Sequence, residues 1–88
     1  MPKYSKYYFG VYIDYIDKKR PRVAQLADCV DDLSCEMLAD LGCITFYQFG
    51  KRAAWKQAKD IAIENSCTFI EQAMSPYKII KLEKKKAT

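Results

Sequence analysis

The chain has 88 residues, half of them hydrophobic, with 15 Lys and Arg against 11 Asp and Glu and no His. This length allows one domain, and the composition is typical of a folded globular protein rather than a disordered one. No segment is apolar enough for a signal peptide or a membrane span, so we expect a cytoplasmic protein without a membrane partner.

The four cysteines form no recognisable metal or redox motif. They are Cys29, Cys35, Cys43 and Cys67. No two have the C-x-x-C spacing, and there is no His to complete a mixed site. We therefore expect buried, unreactive, reduced thiols, with no metal and no cofactor. A secreted protein would instead allow two disulfides with three connectivities.

The first predicted element is a β-strand over residues 6–16. Its apolar side chains alternate with a second set that includes Tyr8, Gly10 and Tyr12. A period of two, with Tyr, Ile and Val in abundance, predicts a strand with one buried face. Tyr8 and Tyr12 then lie on the outward face, where exposed tyrosines favour a protein interface.

The second predicted element is an amphipathic helix over residues 23–41, ended by Gly42. Its apolar residues follow one another at steps of three and four: Val23, Leu26, Val30, Leu33, Met37 and Leu41. This spacing is typical of a helix with one buried stripe. A hairpin over residues 22–30 followed by a shorter helix from Leu33 is the alternative, and the continuous apolar spacing disfavours it.

The same stretch is the acidic part of a basic chain. The formal net charge is +4 and residues 23–42 carry −5, so the other residues carry +9. The five acidic residues are Asp28, Asp31, Asp32, Glu36 and Asp40. Carboxylates four residues apart disfavour a helix by about 0.2–0.5 kcal/mol per pair. A stripe that carries this cost favours a surface for docking on a basic partner.

The remaining elements complete a small fold. We predict a strand over residues 43–49, a helix over 51–65, a strand over 67–74 and a strand, with a short helix as the alternative, over 77–82. The order β-α-β-α-β-β predicts an α+β two-layer sandwich, in which two helices cover one face of a small, mainly antiparallel sheet. Residues 1–82 then form a single domain, and residues 83–88 form a basic, disordered tail.

Catalysis is difficult to build from these residues. No His is present for acid–base chemistry at neutral pH, and no Gly-rich phosphate-binding motif occurs. Carboxylates spread along a helix do not wrap a cation as a loop does. We therefore expect no enzymatic activity and no metal site.

Two basic clusters indicate a different class of partner. They consist of Lys18, Lys19, Arg20 and Arg22, and of Lys51 and Arg52 at the start of the second predicted helix. Clustered cations at a helix N-terminus favour phosphate binding. This is the basis of an alternative hypothesis, a small nucleic-acid-binding domain.

The leading hypothesis is a non-enzymatic protein that docks on a larger protein or nucleoprotein complex. The acidic helix and the tyrosine-rich strand would form the interface. Small size and the absence of catalytic motifs suggest an inhibitor or accessory factor of the kind that phages and mobile elements encode. A homodimer is compatible with either hypothesis.

Overall fold

The computed structural model describes residues 7–15 and 22–87, which form a four-stranded mixed sheet with three helices. The elements in chain order are β1 (Tyr8–Tyr15), β2 (Arg22–Asp28), α1 (Asp32–Asp40), β3 (Ile44–Tyr47), α2 (Lys51–Glu64), β4 (Cys67–Met74) and α3 (Pro76–Ala87). The expected α+β class is confirmed, whereas the predicted element order is wrong.

The strands lie in the order β3-β1-β2-β4. Both β2 and β3 pair with β1 in the antiparallel sense, and β4 pairs with β2 in the parallel sense. The sheet is therefore mixed, with two antiparallel pairings and one parallel pairing. Because β3 and β4 lie at opposite edges, the intervening α2 crosses the sheet.

One face of the sheet packs against α2. The buried residues of this core are Phe9, Val11, Ala24, Leu26, Phe46, Ala54, Ala58 and Ala62. The three alanines are spaced four residues apart on one side of α2 and are fully buried. Because alanine is small, the helix axis can approach the strands closely.

The opposite face packs against α1 and α3, so the predicted two-layer arrangement with one open sheet face is wrong. The buried residues here are Tyr12, Ala27, Cys29, Cys35, Leu38, Met74 and Ile79. Gly10 allows this contact to be close. A Cβ atom there would lie 3.0 Å from the Cβ of Cys43 and 3.3 Å from the Cδ2 of Leu38.

The helix predicted over residues 23–41 is wrong in its first half, where the chain forms β2. Ala24 and Leu26 face α2, while Ala27 faces the other core. A strand that is buried on both faces loses its apolar–polar alternation, and its apolar residues can then match a helical spacing. Of the alternative, the shorter helix is found as α1, but residues 22–28 form a single strand and not a hairpin.

The start of α1 is set by a capping box. The Asp31 carboxylate accepts a hydrogen bond from the Ser34 backbone N–H at 2.8 Å, and the Asp31 backbone N–H donates to Ser34 Oγ at 3.0 Å. These bonds satisfy backbone N–H groups at the N-terminus of the helix. At the other end, Gly42 adopts φ +78°, the left-handed conformation that glycine tolerates best.

The last predicted strand, over residues 77–82, is instead the first half of α3. Pro76 is at the first helical position, where its missing N–H has no intrahelical acceptor to lose. The Ser75 carbonyl accepts backbone bonds from Lys78 and Ile79. Helix α3 continues to Ala87, so residues 83–87, which we expected to belong to a disordered tail, are helical.

Candidate functional site

Three aromatic side chains are exposed at one end of the β3 edge. The exposed fraction is 89% for Phe49, 69% for Tyr47 and 40% for Tyr7. Together with Gln48 they line an open groove of about 420 Å³, which we call the aromatic patch. Exposed large aromatics concentrated in one place are unusual on a monomer surface, so the aromatic patch is a candidate interaction site.

Gln48 holds this patch in position. Its backbone N–H donates to the Tyr7 carbonyl at 2.9 Å, which extends the β1–β3 pairing by one bond. Its side-chain Nε2 donates to Gln57 Oε1 on α2 at 2.8 Å, and its Oε1 accepts from the Phe49 N–H at 3.2 Å. The patch is therefore attached to the sheet and to α2, which lowers the entropy cost of binding there.

Ring contacts connect the patch to the fold. The ring centroids of Tyr7 and Phe49 lie 5.8 Å apart, and those of Tyr8 and Tyr47 lie 4.8 Å apart. Tyr8 also packs against the core that contains Cys35 of α1. Tyr47 is thus on the α1 side of the sheet.

The exposed side of α1 carries Asp32, Glu36 and Asp40, which we call the acidic face. These residues are four apart, so they follow one side of the helix, as predicted for this part of the acidic stretch. No basic residue occurs between Asp32 and Asp40. Helix α1 packs on β1 and β3, on the side of the sheet on which Tyr47 lies.

The other two predicted acidic contacts are not part of this face. Asp28 is the last residue of β2, and its carboxylate pairs with Lys51 Nζ at 3.3 Å. Asp31 caps α1, and both of its oxygens accept from the Tyr77 hydroxyl at 2.8 Å. The prediction that Asp28, Asp32, Glu36 and Asp40 form one continuous stripe on a helix is therefore wrong, because Asp28 belongs to a strand.

The predicted outward orientation of the tyrosines in β1 is also wrong. Tyr12 is only 5% exposed, and its hydroxyl donates a hydrogen bond to the Glu83 carboxylate of α3. Burial and this hydrogen bond raise the pKa of Tyr12 above its ordinary value. Tyr8 is half-buried beside α1. Both are covered because α1 and α3 occupy the face that we expected to be open.

Of the predicted anion-binding residues, the structure describes Arg22, Lys51 and Arg52. Lys18, Lys19 and Arg20 lie outside the described residues. Arg22 and Asp28 begin and end β2, so Arg22 is about 20 Å from the Asp28–Lys51 ion pair at 3.3 Å per residue. Arg52 is exposed in the first turn of α2.

The described part of the chain gives no support for a metal centre or a membrane span. Within residues 7–15 and 22–87, no three His, Cys, Asp or Glu side chains are close enough to hold a metal ion. In the same ranges, no helix combines the length and the apolar character needed to cross a membrane.

Comparison with known proteins returns no relative: no protein-family model, curated protein or solved structure matches the chain.

Sequence reasoning missed the aromatic patch. Tyr47 and Phe49 are at the end of a predicted strand, and aromatic residues there are equally compatible with a core. The available signal was Gly50, which interrupts the strand directly after Phe49 and begins α2 with φ +110°. A large apolar residue between a strand end and a helix start has few neighbours to cover it.

Proposed function

We propose that this chain is a non-enzymatic protein that binds a larger protein through the aromatic patch and the acidic face of α1. The partner surface would be basic, with an apolar side chain that enters the groove between Tyr47 and Phe49. The observation that carries this proposal is the exposure of Phe49 and Tyr47 on a rigid support. Aromatic anchors of this kind account for much of the binding energy at protein interfaces.

Charge supports a basic protein as the occupant. The acidic face carries three carboxylates on a helix without a basic residue, so it repels acidic surfaces and attracts cationic ones. Nucleic acid is the weaker alternative, because its phosphates would be repelled by the carboxylates of the acidic face. By occupying the partner's surface, such a chain would act as an inhibitor or an accessory factor.

Affinity capture with matched variants tests the proposal. The patch variant is Tyr47→Ser with Phe49→Ser, and the charge variant is Glu36→Lys with Asp40→Lys. The control is Ile63→Ser, which removes a residue that is 65% exposed on α2. The unfolding midpoint of each variant is measured first. Each protein is then immobilised on a resin and incubated with a lysate of the native host, with and without nuclease.

We expect a nuclease-resistant partner that binds wild type and Ile63→Ser but not the other two variants. With that partner purified, each change should weaken the affinity at least tenfold, since hot-spot truncations cost about 2 kcal/mol or more. Equal retention by all four proteins would remove the proposal. Retention that disappears with nuclease would favour the nucleic-acid alternative.

A further inference from the structure

The sulfur atoms of Cys29 and Cys35 are closer than two unbonded sulfurs normally approach. Their Sγ–Sγ distance is 2.7 Å, about 0.7 Å longer than a disulfide bond and well inside van der Waals contact. Both residues are only 4% exposed. We propose that Cys29 and Cys35 form a disulfide bond that fastens the N-terminal half of α1 to the end of β2.

The surrounding structure orients both thiols. Cys29 follows the end of β2, and its Sγ also lies 3.4 Å from the Tyr8 carbonyl oxygen on β1. Cys35 is held on the inner side of α1 by the capping box, and its backbone N–H donates to the Asp31 carbonyl at 3.1 Å. Backbone contacts thus fix the direction of each side chain, so little further ordering is needed to join them.

The other two cysteines do not share this arrangement. Cys43 lies directly before β3 and is half-buried. Cys67 is the first residue of β4, and its Sγ donates to the Asn65 carbonyl at 3.4 Å. Burial raises the pKa of Cys43 to about 11. The proposed bond is therefore specific to one of the six pairs that four cysteines allow.

The oxidant would be a low-molecular-weight disulfide. One protein thiolate attacks a sulfur of the small disulfide and displaces one small thiolate, giving a mixed disulfide. The second protein thiolate attacks the protein sulfur of that mixed disulfide, which forms the Sγ–Sγ bond and displaces the second small thiolate. The two protons go to the displaced thiolates, so the protein loses two electrons and the small disulfide gains them.

Burial determines the rate of this exchange. Burial and the contact with Cys35 raise the pKa of the Cys29 thiol, so little thiolate is present near pH 7. The reaction should therefore accelerate as the pH rises, and it should require local opening of α1 or occur during folding.

Oxidative refolding provides the test. The full chain is unfolded in urea, refolded in glutathione buffers of increasing reducing strength, alkylated and digested with trypsin and an Asp-specific protease. Each cysteine then falls in its own peptide: residues 28–30, 32–39, 40–51 and 60–78. The variant with Cys43→Ser and Cys67→Ser serves as the control that retains the pair.

We expect a cross-linked pair of peptides 28–30 and 32–39 in wild type and in the control variant, and its loss on reduction. In the folded protein, the bond should persist at a ratio of reduced to oxidised glutathione about thirtyfold higher than in the urea-unfolded protein. The reason is that folding and bond formation stabilise each other. The oxidised protein should melt roughly 10 °C above the reduced protein.

Two results would overturn the proposal. One is free, alkylated Cys29 and Cys35 at every glutathione ratio in the folded protein. The other is a mixture of pairings no different from that in urea. The refolding experiment does not measure binding by the aromatic patch or the acidic face. Failure of the binding proposal would therefore leave the disulfide proposal standing, and failure of the disulfide proposal would leave the binding proposal standing.

Discussion

Replacement of Gly10 by alanine tests how tightly α1 packs on the sheet. The added methyl would lie 3.0 Å from the Cys43 Cβ and 3.3 Å from the Leu38 Cδ2. Ordinary carbon–carbon contacts lie at about 3.5–4.0 Å, so the first contact is short by roughly 0.5–1 Å. Cys43 cannot move easily, because its backbone N–H donates to the Leu38 carbonyl at 3.1 Å.

The net cost follows from two opposing effects. Overpacking in a well-packed core costs about 1–3 kcal/mol. Alanine in a strand gains roughly 0.5–1 kcal/mol over glycine, because the unfolded chain loses less entropy. We therefore expect Gly10→Ala to lower the free energy of unfolding by about 0–2.5 kcal/mol, and the melting temperature by up to about 20 °C.

Urea denaturation of four proteins separates this clash from a general effect on the strand. They are wild type, Gly10→Ala, Cys43→Gly and the double variant. Because Cys43→Gly removes the Cβ that the new methyl meets, the alanine should cost at least about 0.5 kcal/mol less in that background. Equal cost in both backgrounds, or a stability gain from Gly10→Ala alone, would refute the packing argument.

Two polar contacts give further predictions. Bonds from the Ser34 backbone N–H and the Tyr77 hydroxyl lower the pKa of Asp31, so their stabilisation is complete above the ordinary carboxyl pKa of about 3.9 and is lost as the pH falls further. Urea midpoints measured from about pH 6 to about pH 2 should fall more steeply for wild type than for Asp31→Asn, and parallel curves would contradict this. Tyr12→Phe removes the bond to Glu83 and should cost about 1 kcal/mol near neutral pH. Because the pKa of Tyr12 is raised in the folded protein, this cost should disappear only in alkali. If Tyr12→Phe leaves the free energy of unfolding unchanged near neutral pH, the bond contributes nothing to stability.

The sequence predicted those elements whose patterns are decided locally. The alternation in β1 predicted a strand, and residues 51–65 were predicted as a helix; the structure confirms both elements. Residues 67–74 were predicted as a strand with the bounds of β4. In each case, the residue pattern and the local propensity favour the same element.

The failures have a common cause in tertiary context. In β2, Ala24, Leu26 and Ala27 are good helix formers, but pairing with two neighbouring strands and burial from both sides override that preference. The sequence contained a start signal for α1, the capping pair Asp31 and Ser34. Ser75 and Pro76 are likewise typical of a helix start as well as of a turn.

The candidate site was predicted only in part for the same reason. The exposure of Glu36 and Asp40 follows from helical periodicity alone. The burial of Tyr12 depends on α3, an element that the sequence analysis expected to be a strand and a tail. The exposure of Phe49 depends on which strand lies at the edge of the sheet, and strand order is a long-range property.

The parallel pairing of β2 with β4 also determines when the fold can be completed during synthesis. The partner of β2 consists of residues 67–74, and fully buried Ile79 comes later still. A nascent chain that has reached only residue 66 leaves β2 as an open edge, able to pair with another chain. Productive folding must therefore wait until residues 67–79 have left the ribosome, and this interval is when a chaperone has most to protect.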